Sequence, residues 1–295
     1  MVEVRASNSE LCGGGGLDVV KSGADIFCSS REVWSGEGVV VGNERIAELT
    51  FKLSVEVDEK FPAVRSGQFI MIRLLENIDL LLGRPLAIYR VNRVCNVIEL
   101  IYLVAGRVTS RFSELVIGSR LRIWGPLGIG FDVAFCGHTI LVAGGVGHTP
   151  FLMLAEELSR VESSRVTLLY GARSANRVVP LDDFTRLGVE VYISTDDGTL
   201  GFRGFVTELI GQYYERCELT RILCCGSGVM LRASFSVASE LSLPCVVSLE
   251  TPMSCGIGLC YGCVVKVKDD NDSNGWTYKR TCVEGPSFDA YKLIF

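Results

Sequence analysis

Histidine is nearly absent from this chain, and neither a strongly basic stretch nor a long apolar run occurs anywhere in its 295 residues. The two histidines, His138 and His148, stand in no motif that suggests acid-base work, so a solvent-facing or packing role is the expectation for both. Lys and Arg number 29 against 34 Asp and Glu, a net charge of −5. Without a basic tract, that balance argues against nucleic acid or an acidic membrane surface as the main partner. No run approaches the roughly eighteen apolar residues of a membrane span, and the N-terminus lacks a basic flank followed by an apolar core. A cytoplasmic protein is the expectation.

Cysteine, by contrast, is plentiful, with twelve residues. In a chain of this length without a secretion signal, reduced thiols with a metal centre fit better than a disulfide framework. Four of them form a pattern: Cys255, Cys260 and Cys263 in Ser254-Cys255-Gly256-Ile257-Gly258-Leu259-Cys260-Tyr261-Gly262-Cys263, then Cys282 further on. This C-x4-C-x2-C spacing with a distant fourth Cys is that of a plant-type [2Fe-2S] cluster. Gly256, Gly258 and Gly262 allow such a loop the positive φ angles of sharp turns. Zinc also takes four thiolates, but its knuckles usually show two short Cys pairs, and here one exists. Four unligated core cysteines are the blandest alternative, although a glycine-rich thiol loop adds little to a core.

A hydrophobic fraction of 48% with 21% charged residues is that of a globular protein, and the length suggests two or three domains. Residues 1–37 include Cys12-Gly13-Gly14-Gly15-Gly16 and no periodicity, and they read as an N-terminal extension of unassigned role. Over 38–135, β-type runs at 49–57, 67–74, 84–91, 97–104 and 120–128, with one helical stretch at 109–116, predict a small antiparallel β-barrel. Over 136–245, apolar runs at 139–143, 166–170, 189–194, 222–225 and 245–249 alternate with helical stretches at 151–160, 205–214 and 230–241. Strands apolar on both faces and alternating with helices predict a doubly wound parallel sheet. Residues 246–295 are expected to form the cluster domain. The predicted fold class is thus multidomain β plus α/β.

The first strand of that sheet runs into Gly144-Gly145-Val146-Gly147-His148-Thr149-Pro150. Glycines there would let a pyrophosphate approach the backbone, although the spacing is not the G-x-G-x-x-G fingerprint. Barrel, nucleotide sheet and terminal cysteine loop, in that order, resemble the ferredoxin reductase superfamily. Within it the chain is similar to the electron-transfer subunits of two-subunit, NAD-linked dihydroorotate dehydrogenases of class 1B type, over about residues 39–288. The segments that carry the resemblance are Arg84-Pro85-Leu86-Ala87-Ile88, Gly125-Pro126-Leu127-Gly128, Thr195-Asp196-Asp197-Gly198, Cys225-Gly226-Ser227-Gly228-Val229-Met230-Leu231, Met253 through Cys263, and Tyr278-Lys279-Arg280-Thr281-Cys282-Val283-Glu284-Gly285-Pro286.

By resemblance, Arg84 pairs with the FAD pyrophosphate, and its planar fork suits phosphate oxygens. Pro85, Leu86, Ala87 and Ile88 then lie along the flavin. Ala87 stands where the family commonly has Ser or Thr, so a hydroxyl beside the ring is missing. Gly106, Thr109 and Ser110 match a second phosphate segment, with Thr109 as a plain helix cap the competing reading. Gly144, Gly145, Gly147 and Thr149 are the implied pyrophosphate turn for NAD. Cys225 and Gly226 fall where the nicotinamide meets the flavin, and Cys225 is the candidate catalytic residue. A small buried thiol at a strand end needs no function, however. Asp196 and Asp197 would repel a 2′-phosphate and favour NAD over NADP, or else only shape the turn before Gly198.

The resemblance implies that electrons from dihydroorotate, oxidised by a separate FMN-containing catalytic subunit, pass through [2Fe-2S] and FAD to NAD+, with the two subunits in a heterotetramer. A (β/α)8 catalytic barrel of about 250 residues does not fit beside the parts already assigned. Two competing functions remain at this stage. One is a subunit of an NAD(P)H:ferredoxin or sulfide-type oxidoreductase, whose first cluster ligand is an aspartate where this chain has Cys255. The other is a non-catalytic, metal-stabilised interaction module, for which Ala87 is the only hint.

Overall fold

A computed structural model describes residues 33–75, 80–214 and 220–295. The expected N-terminal extension lies outside the described residues as far as residue 32, and from Trp34 onwards that stretch is already strand. Six strands close a barrel: β1 (Trp34–Ala47), β2 (Thr50–Glu56), β3 (Phe69–Leu74), β4 (Arg84–Asn92), β5 (Val97–Leu103) and β6 (Arg120–Leu127). Their order is β1-β2-β5-β4-β3-β6, antiparallel throughout. Alternation explains the closure: in β2, Leu53 and Val55 point inward while Glu56 faces water. Across strands, Leu53 faces Leu100 and Val55 faces Ile98. These side chains join Ile70, Ile72, Leu121 and Ile123 in the core, each contributing about 1.5–3 kcal/mol through burial. Helix α1 (Arg107–Ser113) covers one end with Val108 and Phe112.

The second layer system alternates strand and helix: β7 (His138–Gly144), α2 (Phe151–Leu158), β8 (Arg165–Ala172), α3 (Asp182–Arg186), β9 (Glu190–Thr195), β10 (Phe202–Arg203), α4 (Val206–Tyr213), β11 (Thr220–Cys225), α5 (Gly228–Glu240) and β12 (Cys245–Ser248). These strands are parallel, and both faces of β7 are fully buried. Leu141 and Ala143 pack with α2, whereas Ile140 and Val142 pack with residues of α4 and α5. That two-sided burial is why the runs are continuously apolar. From β7 the chain steps outward through β8 to β10, then returns to β11 and β12 on the other side. The reversal point lies between β7 and β11, where such sheets collect ligands.

The last segment adds a hairpin, β13 (Val264–Lys268) with β14 (Trp276–Arg280), and then β15 (Ser287–Asp289). The expected boundary between residues 245 and 246 falls inside β12, a full member of the parallel sheet. β15 pairs antiparallel with β12, so the sheet has seven strands and the cluster segment is sewn into it. Barrel and sheet also share a core, because Tyr89, Ile101 and Phe131 pack with Leu141, Phe151 and Tyr170. Polar contacts reinforce the seam: the Tyr89 hydroxyl donates to Asp183 at 2.8 Å, and Arg90 lies 3.3 Å from Asp183 and 3.7 Å from Glu156. Residues 33–295 form one compact unit. No described helix is long and apolar enough to cross a membrane.

Candidate functional site

A cavity of about 450 Å³ opens where the barrel meets the C-terminal ends of the parallel strands. That volume is in the range of cofactor pockets. β4 supplies Pro85, Leu86 and Ala87, and the end of β5 with its loop supplies Tyr102, Leu103 and Ala105. Thr109 of α1, the turn residues Val146, Thr149 and Pro150, and Cys225 line it as well. The structure thus brings six of the sequence-derived site residues together: Pro85, Leu86, Ala87, Thr109, Thr149 and Cys225.

The others sit behind or beside this wall. Ile88 is buried in the barrel core. Arg84 spends one guanidinium nitrogen on the Leu82 and Gly83 carbonyls, both at 3.1 Å, and has no carboxylate partner among the described residues. Its charge is therefore not consumed by an ion pair there. The Thr109 hydroxyl accepts from the Ala105 and Gly106 backbone N–H groups at 2.9 and 3.1 Å, so it does cap its helix while also facing the cavity. Ser110 follows it outside the lining. At the strand ends, a Cβ on Gly144 or on Gly226 would strike the Met230 side chain, and one on Gly147 would lie 2.1 Å from the Cys225 carbonyl oxygen. Gly147 therefore lets the turn press against the end of β11. Gly145, with φ at +53°, has open space where a side chain would point.

Asp196 and Asp197 are exposed in the turn after β9, away from the cavity lining. Asp197 accepts from the Thr199 N–H at 3.0 Å and from its hydroxyl at 2.6 Å, which holds its carboxyl below the usual range and shapes the turn. Asp196 makes no such cap.

Burial pushes the Cys225 thiol up to about 12, with the Glu250 carboxylate adding to the shift. That shift favours the neutral thiol, and Cys225 forms part of the cavity wall. Glu250 and its neighbours Ser248, Leu249, Thr251, Pro252 and Met253 also line the cavity, and the sequence reading missed them. Glu250 is open to the cavity yet crowded by protein atoms, and that desolvation raises its carboxyl pKa. A signal was available, since the segment follows the C-terminus of a parallel strand, where ligands gather. The Thr251 hydroxyl is buried without a protein partner. An unsatisfied polar atom on an otherwise largely apolar wall is what a bound cofactor with polar edges would complete.

Beyond this wall lie the four cysteines. They come as two pairs: Cys263 and Cys282 have their sulfurs 3.3 Å apart, and the Cys260 thiol is among the groups that lower the Cys255 pKa. Among the described residues no three His, Cys, Asp or Glu side chains surround a single metal ion. Two thiol pairs match a two-iron centre with two protein ligands on each iron. The donor set is right for it as well. Burial pushes Cys255 up, but the N–H groups of Cys260, Ile257 and Leu259, with the Cys260 thiol, outweigh it and bring the pKa to about 7. A loop that aims N–H groups at sulfur is built for thiolate. Gly256 and Gly258 take positive φ as expected, but the third left-handed residue is Tyr261 and not Gly262. The barrel holds the loop through Trp124, whose indole N–H donates to the Cys255 carbonyl at 2.8 Å. All nine cysteines among the described residues are free thiols.

One small core joins the two sites. Phe69 and Met253 line the cavity and also pack with Met71, Leu127, Cys263 and Cys282. The histidines stand apart: His138 and His148 are buried, and both have lowered pKa values because burial disfavours their charge.

Comparison with known proteins agrees with this layout. The profile of one family, the iron-sulfur cluster binding domain of dihydroorotate dehydrogenase B, matches residues 250–294. The chain is 34% identical over 251 residues to the dihydroorotate dehydrogenase B (NAD(+)) electron transfer subunit of Desulforamulus reducens, covering 85% of this chain and 94% of that one. It is 32% identical to the same subunit of Clostridium perfringens, covering 88% and 98%. Among solved structures, the NADH-dependent reduced ferredoxin-NADP oxidoreductase described for flavin-based electron bifurcation superposes with a TM-score of 0.78 at 25% identity, over 87% of this chain and 89% of that one. The ferredoxin reductase of carbazole 1,9a-dioxygenase shares the fold, with a TM-score of 0.65 at 20% identity, over 75% and 69%.

Proposed function

We propose, on the premise that this chain belongs to the family of dihydroorotate dehydrogenase B (NAD(+)) electron transfer subunits, that it takes electrons from a separate FMN-containing catalytic subunit and delivers them to NAD+. The observation that carries this reading is the shared core: Phe69 and Met253 are at once wall of the cavity and packing for Cys263 and Cys282. When bound, a [2Fe-2S] cluster exchanges single electrons and FAD pairs them into the hydride that nicotinamide accepts.

The protein's own part is position and electrostatics. Cys255 with Cys260 and Cys263 with Cys282 would hold the two irons. Pro85, Leu86 and Ala87 would lie along the flavin, with Arg84, Gly106, Thr109 and Ser110 toward its phosphates. For NAD, the assigned turn is Gly144, Gly145, Gly147 and Thr149, and Cys225 and Gly226 mark the nicotinamide end. Burial favours the neutral Cys225 thiol there, so no thiolate adds to the electrophilic nicotinamide ring. Asp196, exposed and uncapped, would accept from ribose hydroxyls and disfavour a 2′-phosphate, which favours NAD over NADP. Ile257, Leu259, Tyr261 and Tyr278 are exposed around the cysteine loop and suit a docking partner, the catalytic subunit, in a heterotetramer. Free thiols throughout the described residues support a cytoplasmic setting.

The likeness to NADH-dependent reduced ferredoxin-NADP oxidoreductase keeps a second reading, a ferredoxin-linked subunit. Cys255 in the first ligand position favours the first. Anaerobic coexpression with the catalytic subunit decides between them. Dihydroorotate:NAD+ oxidoreductase activity is expected only from the complex, and orotate formation by this chain alone would overturn the reading. In the complex, Cys260→Ser should abolish transfer from dihydroorotate while leaving reduction of the flavin by NADH largely intact. Loss of both in a folded protein would misplace the cluster in the path.

A further inference from the structure

We propose that Arg280 sets the reduction potential of the iron-sulfur cluster, by clamping the arc 258–261 of the cysteine loop onto the Cys282 segment and neutralising the Glu284 carboxylate there. The proposal rests on the cluster assignment above. Arg280 ends β14, two residues before Cys282. Its Nη1 donates to the Gly258 carbonyl at 3.2 Å, and its guanidinium carbon lies 5.1 Å from the centre of the Tyr261 ring. Gly258 and Tyr261 flank Cys260, and both are left-handed, at φ of +85° and +54°. One side chain thus grips the loop on either side of a ligand.

The other edge of the guanidinium is held just as firmly. Nη2 donates to Glu284 Oε1 at 2.7 Å and Nε to Oε2 at 3.2 Å, while the Arg280 backbone N–H donates to Oε2 at 2.8 Å. Glu284 closes the turn that carries Cys282, so the clamp ties both ligand segments to one planar group. Its consequence reaches the ligand turn: a Cβ on Gly258 would come within 2.7 Å of Val283, the residue after Cys282. Gly258 therefore sits directly on the Cys282 turn, and Arg280 restrains it through the peptide that follows. The guanidinium also interacts electrostatically with Cys282. An arginine stays charged at every working pH, and cluster potentials follow net charge and hydrogen bonds to sulfur. Loss of the guanidinium would leave the Glu284 carboxylate unpaired beside Cys282, so Arg280 favours the reduced, more negative cluster.

The test is an anaerobic redox titration of the full chain, followed by the electron paramagnetic resonance signal of the reduced cluster. Wild type, Arg280→Lys and Arg280→Gln are compared. The expected order of potentials is wild type, then Lys, then Gln. From wild type to Gln the fall should correspond to a tenfold change in the reduction equilibrium, about 59 mV for one electron. Lys keeps the charge but loses the fork, so its fall should be smaller, with an altered signal shape. A Gln variant with the wild-type potential would overturn the proposal. If Gln fails to load a cluster, the Lys variant decides, and a wild-type potential and signal shape there would overturn it. A wild-type protein that shows no such signal would remove the cluster assignment, and this inference with it.

Discussion

His148 shows how much a single residue can impose. Its ring is sealed among those of Tyr89, Tyr170 and Phe184, with centroids 5.8, 5.7 and 6.3 Å away, and its Nδ1 lies 2.9 Å from the Gly145 carbonyl. That contact needs a proton on Nδ1 and leaves Nε2 buried with no partner. Burial is the larger influence and lowers the pKa to about 4, against the backbone contact that raises it. The unfolded chain takes up its proton near pH 6.5, before the native one does. Stability is therefore intact above pH 6.5 and is lost as pH falls toward 4, by about 3 kcal/mol from this residue. Denaturant unfolding at pH 7.5 and pH 4 should show that loss, and His148→Phe should reduce it, with a remainder from His138. An unchanged slope in the variant would mean that the cage does not hold the ring neutral. Residue roles of this kind were only half legible in the sequence. The isolation of the histidines argued against acid-base work but left a solvent-facing or a packing role open, because the cage is assembled from β4, β8 and α3, which no local pattern joins. Glu250 was missed for the same reason, since its role comes from the cavity it faces.

At the scale of elements, legibility followed burial. The strands of the parallel sheet announced themselves because both faces are apolar, and the barrel strands because their inward residues alternate. The β13–β14 hairpin carries Lys266, Lys268, Tyr278 and Lys279 on exposed or half-exposed positions, so its periodicity is weak. β15 is three residues long and exists because β12 offers it an edge. Neither could be read without its partner. The turn after β7 was legible as glycine-rich, but the reason for Gly147 emerged from the close approach to Cys225. Gly147→Ala should push that turn off the end of β11 at a cost of about 1–3 kcal/mol, as overpacking does. Since Val146 lies in the turn and Thr149 follows it, both on the cavity wall, NADH affinity should fall by about tenfold, or about 1.4 kcal/mol. Thermal unfolding and an NADH titration together check this, and wild-type values in both would show that the contact is not restrictive.

For the whole molecule, order along the chain was legible and closure was not. Barrel, sheet and cysteine loop could be placed in sequence from their patterns, but the return of the final segment could not. Gly285 accepts from the Ile129 N–H at 2.6 Å, and Pro286 accepts from the Leu249 N–H at 2.9 Å. Pro286 also lines the cavity, so the segment that follows Cys282 closes that cavity as well. A chain truncated after Glu284 keeps all four cysteines yet loses this closure and the strand that covers the edge of β12. It should purify with much less FAD and should self-associate through that bare edge. Flavin absorbance and size-exclusion chromatography test both points, and a monodisperse, flavin-replete truncation would contradict them. The closure by Pro286 also bears on how the protein is made. Synthesis proceeds from the N-terminus at roughly 5–20 residues per second, so the strands of the barrel emerge on the order of ten seconds before residue 286 does. A nascent barrel has no finished cavity wall during that interval. Completion of the cavity thereby becomes a task of the whole chain, and synthesis cut short in the last segment would yield a copy with its cysteines in place and an open cavity.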